Sequence, residues 1–292
     1  MNASDNRDAG AAWAFLAPTM ALMTLFMLAP VLVALVVSLL KMDVISGHVQ
    51  WAGLKNLDYL LDDEKFWAAL RNTVRYVLVV VPAQTVLALG LACLLNGKVR
   101  FRRGFVTLLF LPTLTSSAAM TLIFMWLFNN NGLVTQYLQV HWGVTVRFLS
   151  DPAWALPVIM LMNVFSTVPL FMVVFLAGLQ DIPAALYEAI ELDGAGPLRK
   201  HWEISVPQLM PILFYVVTMG LIGCFQVFDQ VYVMTAGGPN NSSQVVVQQV
   251  YDLTFRYGQA GMASALSWLL FFVILIVTLI QFYGQRRWVN YV

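Results

Sequence analysis

Residues 181–211 read DIPAALYEAIELDGAGPLRKHWEISVPQLMP. Asp181, Glu188, Glu191, Asp193, Arg199, Lys200, His201 and Glu203 make the stretch polar, and five of the chain's fifteen acids fall in it. Its surroundings are the opposite. Trp154–Leu179 precedes it and Leu209–Phe228 follows it, each without a single charge. Working outward, four more charge-free runs appear: Ala11–Leu40, Tyr76–Leu95, Phe105–Phe128 and Ala263–Tyr283. Every run has at least twenty residues, and a helix needs about twenty to cross ~30 Å of hydrocarbon. The runs are continuous rather than alternating, which argues against barrel strands. The expected fold is an all-α integral membrane protein with six transmembrane helices and one organised polar loop between the fourth and the fifth.

Composition agrees. The 292 residues are 60% hydrophobic and 11% charged, with mean hydropathy +0.76, against about 25% charge in a soluble protein. The formal net charge of +1 points to no partner by itself, and no nucleic-acid partner is expected. Cys93 and Cys224 each sit inside an apolar run and read as packing residues. Ala11–Leu40 is too long for a signal-peptide core of about 7–15 residues and lacks a preceding basic cluster, so it reads as a retained span. The longest connections are too short to hold a core of their own. Residues 1–292 therefore read as a single membrane domain, with 181–207 as a loop within it.

Orientation follows from basic residues near span ends. Lys98, Arg100, Arg102 and Arg103, then Arg199 and Lys200, then Arg286 and Arg287 fall on one side when six spans are counted. The opposite connections carry mixed charge, and Arg71 and Arg75 among them reduce the contrast. The balance puts both termini and residues 181–207 in the cytoplasm.

Within the loop, Asp181 ahead of Pro183 is a favourable helix start. Leu186, Ala189 and Ile190 share one helical face, and Glu188 and Glu191 point elsewhere. Gly194-Ala195-Gly196-Pro197 ends that helix. Leu198 to Val206 fits a second short helix, and Pro207 starts the next span. Small Ala184, Ala185, Ala189 and Ala195 allow close backbone approach. Two readings stay open on these features: a helical hairpin packed on the protein's own underside, or a surface built to dock another protein.

The chain shows no machinery for hydrolysis or redox chemistry. There is no GxxxxGK[ST] loop, since Gly97-Lys98 is followed by Val99. There is no HExxH and no CxxC, and His48, His141 and His201 all fall in connections. No catalytic residue, bound metal or cofactor is expected of this chain.

Residues 188–207 resemble the EAA motif of binding-protein-dependent ABC importer permeases: Glu-Ala-Ala, three residues, Gly, nine residues, then Ile-x-Leu-Pro. Glu188-Ala189 opens it, Gly194 follows at the right spacing, and Ile204-Ser205-Val206-Pro207 closes it. Ile190 replaces the second Ala and Val206 the Leu, both apolar swaps. Asp193-Gly194-Ala195 is similar to the form common in the carbohydrate and polyol branch. Trp51-Ala52-Gly53-Leu54-Lys55-Asn56, Phe66-Trp67, Asn72-Thr73, residues 177–183, and Phe228-Asp229 through Thr235-Ala236-Gly237-Gly238-Pro239 extend the resemblance over nearly the whole chain.

The resemblance implies a MetI-like permease fold in a bacterial inner membrane. It also implies that the chain is not itself an enzyme. It pairs instead with a second, related permease chain and receives solute from a periplasmic or lipid-anchored binding protein. It docks its loop as a coupling helix on a cytoplasmic ATPase dimer that carries the ATP and Mg. Glu188, Ala189, Asp193, Gly194, Ala195, Ile204 and Pro207 would form that coupling element, Glu188 supplying the charged contact and Gly194 the turn.

Polar residues inside spans usually face the bundle interior. Asn163, Ser166 and Thr167 share a face of the fourth span, and Gln226, Asp229 and Gln230 end the fifth. Amides and hydroxyls suit a polyhydroxylated ligand, with Trp126 or Phe165 to stack on it. Bonds between helices are the commoner use of such residues, and Thr115, Ser116 and Ser117 read that way. A secondary transporter or channel for a small polar solute is the alternative function. It calls for charges within spans or an internal repeat, and the sequence shows neither. A membrane-embedded enzyme would need a cluster of acids, histidines or nucleophiles at membrane depth.

Overall fold

The structure, a computed structural model, describes residues 3–43, 47–97 and 99–285. Lys98, Arg286 and Arg287, three of the residues used for orientation, lie outside them. The chain begins with α1 (Ala3–Met23), which passes through a π-helical turn at Thr24–Leu28 into α2 (Ala29–Ser38). A hairpin of β1 (Leu40–Asp43) and β2 (His48–Trp51) follows, antiparallel with Leu40 opposite Trp51, and then α3 (Lys55–Asp62). This hairpin is a departure from the expected all-helical chain.

Next come α4 (Glu64–Asn96), α5 (Arg102–Leu114), α6 (Ser117–Phe128), α7 (Leu133–Trp142) and α8 (Ala155–Asp181). The loop holds α9 (Ala184–Leu192), α10 (Pro197–Lys200), a π-turn at His201–Ser205 and α11 (Val206–Gln208). The chain continues through α12 (Met210–Phe225), α13 (Asp229–Met234), α14 (Val246–Tyr251), a π-turn at Asp252–Arg256 and α15 (Ala260–Gln285).

Four helices are long and apolar enough to cross a membrane unbroken: Ala12–Ser38, α4, α8 and α15. The count reaches six if each of two bent pairs is one span. The predicted third span, Phe105–Phe128, is the first bent pair. Arg102–Leu114 meets Ser117–Trp142 at 94°. Thr115 and Ser116 are extended there, and Ser116 Oγ accepts from the Ala119 N–H at 3.3 Å, so a new helix starts mid-run.

The second bent pair, at 71°, separates Leu198–Gln208 from α12. Pro207 thus ends the loop's second helix instead of starting the span. Leu209 is the hinge, and Pro211 occupies the first turn of α12. The sixteen residues of α12 reach roughly 24 Å before Gln226 leaves the helix.

The described residues form two compact units. The first takes in Met1–Asp63 and Val250–Leu269. In it Asn56 Nδ2 donates to the carbonyls of Ser38 at 2.7 Å and Leu40 at 3.0 Å. A Cβ on Gly261 would overlap the Leu40 carbonyl, so only glycine fits there.

The second unit, Glu64–Gln249 and Leu270–Val292, is built on α4 and α8. Tyr76, Val80, Gln84, Ala88 and Ala92 form the inner stripe of α4, while Val74, Leu78, Val79 and Val86 face outward. Inward, Ala88 and Ala92 share a cluster with Val168, Met172, Phe175 and Leu179 of α8 and Val216 of α12. Lipid tails are as apolar as leucine, so close packing rather than burial from water holds such helices. The small residues serve that purpose. A Cβ on Gly178 would overlap Ile212, and one on Gly220 would overlap the Gln84 amide.

Candidate functional site

The loop folds back on itself. Pro183, not Asp181, stands at the N-cap of α9, because Asp181 is the last residue of α8. At the other end Gly194 takes φ +74°, its N–H bonds the Glu191 carbonyl at 3.0 Å, and the Ala195 N–H bonds the Ile190 carbonyl at 3.2 Å. That pair of bonds is a Schellman closure, and Ile190 and Ala195 are the two buried residues flanking it. Tyr187 Oη and Ser205 Oγ lie 2.9 Å apart, and Glu191 pairs with Lys200. These contacts clamp α9 to the helix that follows. Arg199 pairs with Glu203 at 2.7 Å, which holds its guanidinium above its ordinary pKa.

The predicted residues therefore divide. Ala195 is buried and Ile204 half-buried, and both fix the hairpin from inside. Glu188, Ala189, Asp193, Gly194 and Pro207 are exposed. Of Leu186, Ala189 and Ile190, which share a face of α9, only Ile190 is buried, with half-buried Tyr187 beside it. Glu191 is spent on Lys200, whereas Glu188 has no ion pair among the described residues. Sequence reasoning missed Leu192, Leu198 and Trp202, exposed at 91%, 74% and 67%. What marks them is large apolar character in a charged stretch.

The second set of predicted residues meets between helices. Asn163 Nδ2 and Tyr76 Oη both donate to Gln230 Oε1 at 3.0 Å, linking α8, α4 and α13. Thr167 Oγ1 lies 2.8 Å from Gln84 Oε1 and 2.9 Å from the Asn163 carbonyl. Ser166 Oγ bonds the Met162 carbonyl of its own helix at 3.0 Å, and its carbonyl accepts from Thr113 Oγ1 of α5 at 3.5 Å. Gln226 is exposed at the end of α12. Asp229 accepts a hydrogen bond from Ser117. Phe165 stacks at a tilt on Phe124, centroids 5.5 Å apart, and Trp126 is exposed.

By helical rise, Asn163 stands roughly 27 Å and Thr167 roughly 21 Å from the loop end of α8, and Tyr76 roughly 30 Å and Gln84 roughly 18 Å from the end of α4 at Asn96. The polar groups thus form a band, the polar layer, spread over roughly 12 Å of helix. Sequence reasoning passed over Tyr76 and Gln84, whose partners Gln230 and Thr167 lie on other helices.

A third grouping joins two stretches far apart in sequence. Asn72 Nδ2 donates to the carbonyls of Asn241 at 2.9 Å and Gln244 at 3.0 Å, and Thr73 Oγ1 accepts from the Val246 N–H at 3.0 Å. The turn-rich loop at Gly237–Ser243 is thus tied to the start of α4.

Residues 84–290, well over half the chain, match the model of one family, the binding-protein-dependent transport system inner membrane component. The chain belongs to that family.

Relatives of this transport component match along most of their lengths. The lactose transport system permease protein LacF of Rhizobium radiobacter is 34% identical over 284 residues, 94% of each chain. The sulfoquinovosyl glycerol transport system permease protein SmoG of Agrobacterium fabrum is 32% identical over 265 residues, 90% of this chain and 86% of its own. A solved bacterial alginate ABC transporter, in complex with an alginate pentasaccharide-bound periplasmic protein, shares the fold. Its TM-score is 0.86 at 22% identity, covering 97% of this chain and 96% of that one. The permease fold expected from residues 188–207 is borne out, and the chain is a multi-pass inner-membrane protein.

In this permease the left-handed turn at Gly194 carries a prediction. A Cβ there meets nothing within 4 Å, so the penalty of Gly194→Ala is conformational alone, about 1–2 kcal/mol. Asn tolerates this region better. Limited proteolysis of the loop is expected to speed up in Gly194→Ala and to change less in Gly194→Asn. Equal rates in all three proteins would mean that the closure does not hold the loop.

Proposed function

We propose that this chain is one of two membrane subunits of an ATP-driven importer for a carbohydrate, polyol or related solute. The second subunit is a related permease chain. An extracytoplasmic binding protein, which the family is named for, delivers the solute. ATP and Mg sit on a separate ATPase dimer. Both termini and residues 181–207 face the cytoplasm, where Glu188, Ala189, Asp193 and Gly194 meet an ATPase subunit, with Ala195, Ile204 and Pro207 holding them in place. Asn163, Ser166, Thr167, Gln226 and Asp229 are the proposed substrate-path residues. The sugars in the names of LacF and SmoG support the solute class.

The observation that carries this reading is the division of labour in the loop. A short helix is closed at Gly194 and clamped through Glu191 and Tyr187, yet Glu188 is left exposed, with no ion pair among the described residues. A rigid element of this kind can pass motion on through the hinge at Leu209. The test is reconstitution of the chain with its second permease chain and ATPase in liposomes, with binding protein outside. Solute is expected to accumulate only with ATP at the ATPase face. Full-rate uptake without ATP would overturn the reading in favour of a channel or secondary transporter.

A further inference from the structure

The first and last apolar runs of the chain turn polar at a common junction in the first unit. Lys41 directly follows Ala11–Leu40, and Met262 directly precedes Ala263–Tyr283. The two ends are locked side by side. Asn56 Nδ2 holds the Ser38 and Leu40 carbonyls, Asp43 forms an antiparallel bridge with Gln259, and Gly261 leaves no room for a Cβ against the Leu40 carbonyl. At this junction lies a cavity of about 450 Å³, lined by Lys41, Met42, Asp43, Asn56, Tyr59, Gln259 and Met262. Small-molecule sites occupy roughly 300–1,000 Å³. None of these residues belongs to the substrate path proposed above.

The lining carries both signs of charge. Lys41 is exposed and makes no ion pair among the described residues, whereas Arg256, just ahead of Gln259, is held by Asp252 at 3.1 Å. Asp43 is half-buried. Asn56 is 3% exposed and spends both Nδ2 hydrogens on carbonyls, so only its acceptor oxygen is left for a ligand. The Tyr59 side chain is 58% exposed, and Met42 and Met262 supply apolar surface. Trp51, Leu54 and Leu61 of the same connection are exposed too. Aromatic and large apolar side chains gather at headgroup level, where spans end. Below the junction, none of the apolar window of Ala12–Ser38 is buried by this chain, so hydrocarbon tails have a surface to follow. A saccharide would match the amides and the ring but leave that apolar rim unmatched.

We propose that this cavity holds the headgroup of a zwitterionic phospholipid with a primary ammonium. The phosphate sits on Lys41 in a charge-assisted bond. The ammonium lies among the Asp43 carboxylate, Asn56 Oδ1 and the face of the Tyr59 ring. The acyl chains follow the exposed surface of the first span. A choline headgroup keeps both charges but has no N–H to donate. A glycerol headgroup keeps the phosphate but sets no cation against Asp43. The assignment needs only that the chain spans a membrane, and stands or falls apart from the transport reading.

The test is native mass spectrometry of the delipidated full-length chain, titrated with phosphatidylethanolamine, phosphatidylcholine and phosphatidylglycerol of identical acyl chains. A preference of about fivefold or more for phosphatidylethanolamine is expected. Lys41→Gln is expected to weaken all three lipids by about fivefold. Asp43→Asn is expected to bring phosphatidylethanolamine and phosphatidylglycerol to within about twofold of each other. Lys55→Gln, on the same connection but outside the cavity, is expected to change nothing. Should Asp43→Asn fail to fold, Tyr59→Leu replaces it. A loss of about threefold for phosphatidylethanolamine, with phosphatidylglycerol unchanged, then supports the assignment, and equal losses overturn it. Equal binding of the three lipids, or equal losses in Lys41→Gln and Lys55→Gln, would leave only a non-specific lipid shell and overturn the proposal. Glycerophosphoethanolamine, the soluble headgroup, is expected to displace no lipid at equal concentration. If it competes as well as the lipid, or if lactose displaces the lipid, the cavity is a site for a free solute and the proposal fails.

Discussion

Glu188→Lys is expected to cut ATP-driven uptake to less than about a tenth while the chain still inserts and the loop keeps its fold. Glu188 is exposed on α9 and makes none of the contacts that close the hairpin. Reversing its charge therefore leaves Tyr187–Ser205, Glu191–Lys200 and the Gly194 turn in place. At a docked surface the same change sets a cation where the partner expects a carboxylate. Truncating one member of a buried charge pair costs about 2–5 kcal/mol, and each ~1.4 kcal/mol is tenfold. Glu188→Gln, which keeps the shape and loses the charge, is expected to fall between.

Glu191→Gln acts by a different route, since it frees Lys200 and loosens the hairpin; accelerated loop proteolysis would accompany any loss of uptake. Two readouts separate the cases: co-purification of the ATPase with the permease, and ATP-dependent uptake in liposomes. If Glu188→Lys leaves both unchanged, α9 is not the coupling element.

The closed hairpin at residues 181–207 was legible because its information is local. Glu188, Gly194 and Pro207 sit at fixed spacings, and a left-handed glycine closing a short helix follows from the chain's own geometry. The six apolar runs were legible for the same reason: hydropathy sums over about twenty neighbours. What sequence reading lost are features decided at one residue or across long separations. The third run looks uniform from Phe105 to Phe128, yet Ser116 caps a new helix within it and Ser117 bonds Asp229, 112 residues on. Pro207 looked like the start of a span because proline favours a first turn. Pro211 satisfies the same rule, and the hinge falls between them at Leu209. Tyr76 and Gln84 went unnoticed because their partners, Gln230 and Thr167, lie on other helices, far away in sequence. Which residues of α9 pack inward was not legible, for a related reason. Leu186, Ala189 and Ile190 do share a helical face, but clamping through Tyr187 and Ile190 turns Leu186 and Ala189 outward.

Gln230→Leu is expected to lower stability by about 2–3 kcal/mol, one of the larger single-site effects available in the second unit. One acceptor, Gln230 Oε1, serves two buried donors, Tyr76 Oη and Asn163 Nδ2. Leucine removes it and leaves both donors dry. An orphaned buried donor costs about 1–3 kcal/mol. Bonds between helices in membranes average only about 0.6 kcal/mol, because unfolded spans in lipid also find partners. The expected loss therefore stays near the lower end for each donor. Unfolding of the purified complex in mixed micelles, read as a midpoint shift, measures it.

Tyr76→Phe in the Gln230→Leu background is expected to recover part of the loss, because it removes one orphan, and Asn163→Leu added to both should recover most of the rest. A Gln230→Leu protein as stable as its parent would mean that the network contributes nothing to holding α4, α8 and α13 together. The triple variant then separates the two uses of these residues left open by sequence. If it is stable and transports normally, the layer is glue between helices. If it is stable and transport is lost, the amides and the phenol line the solute path.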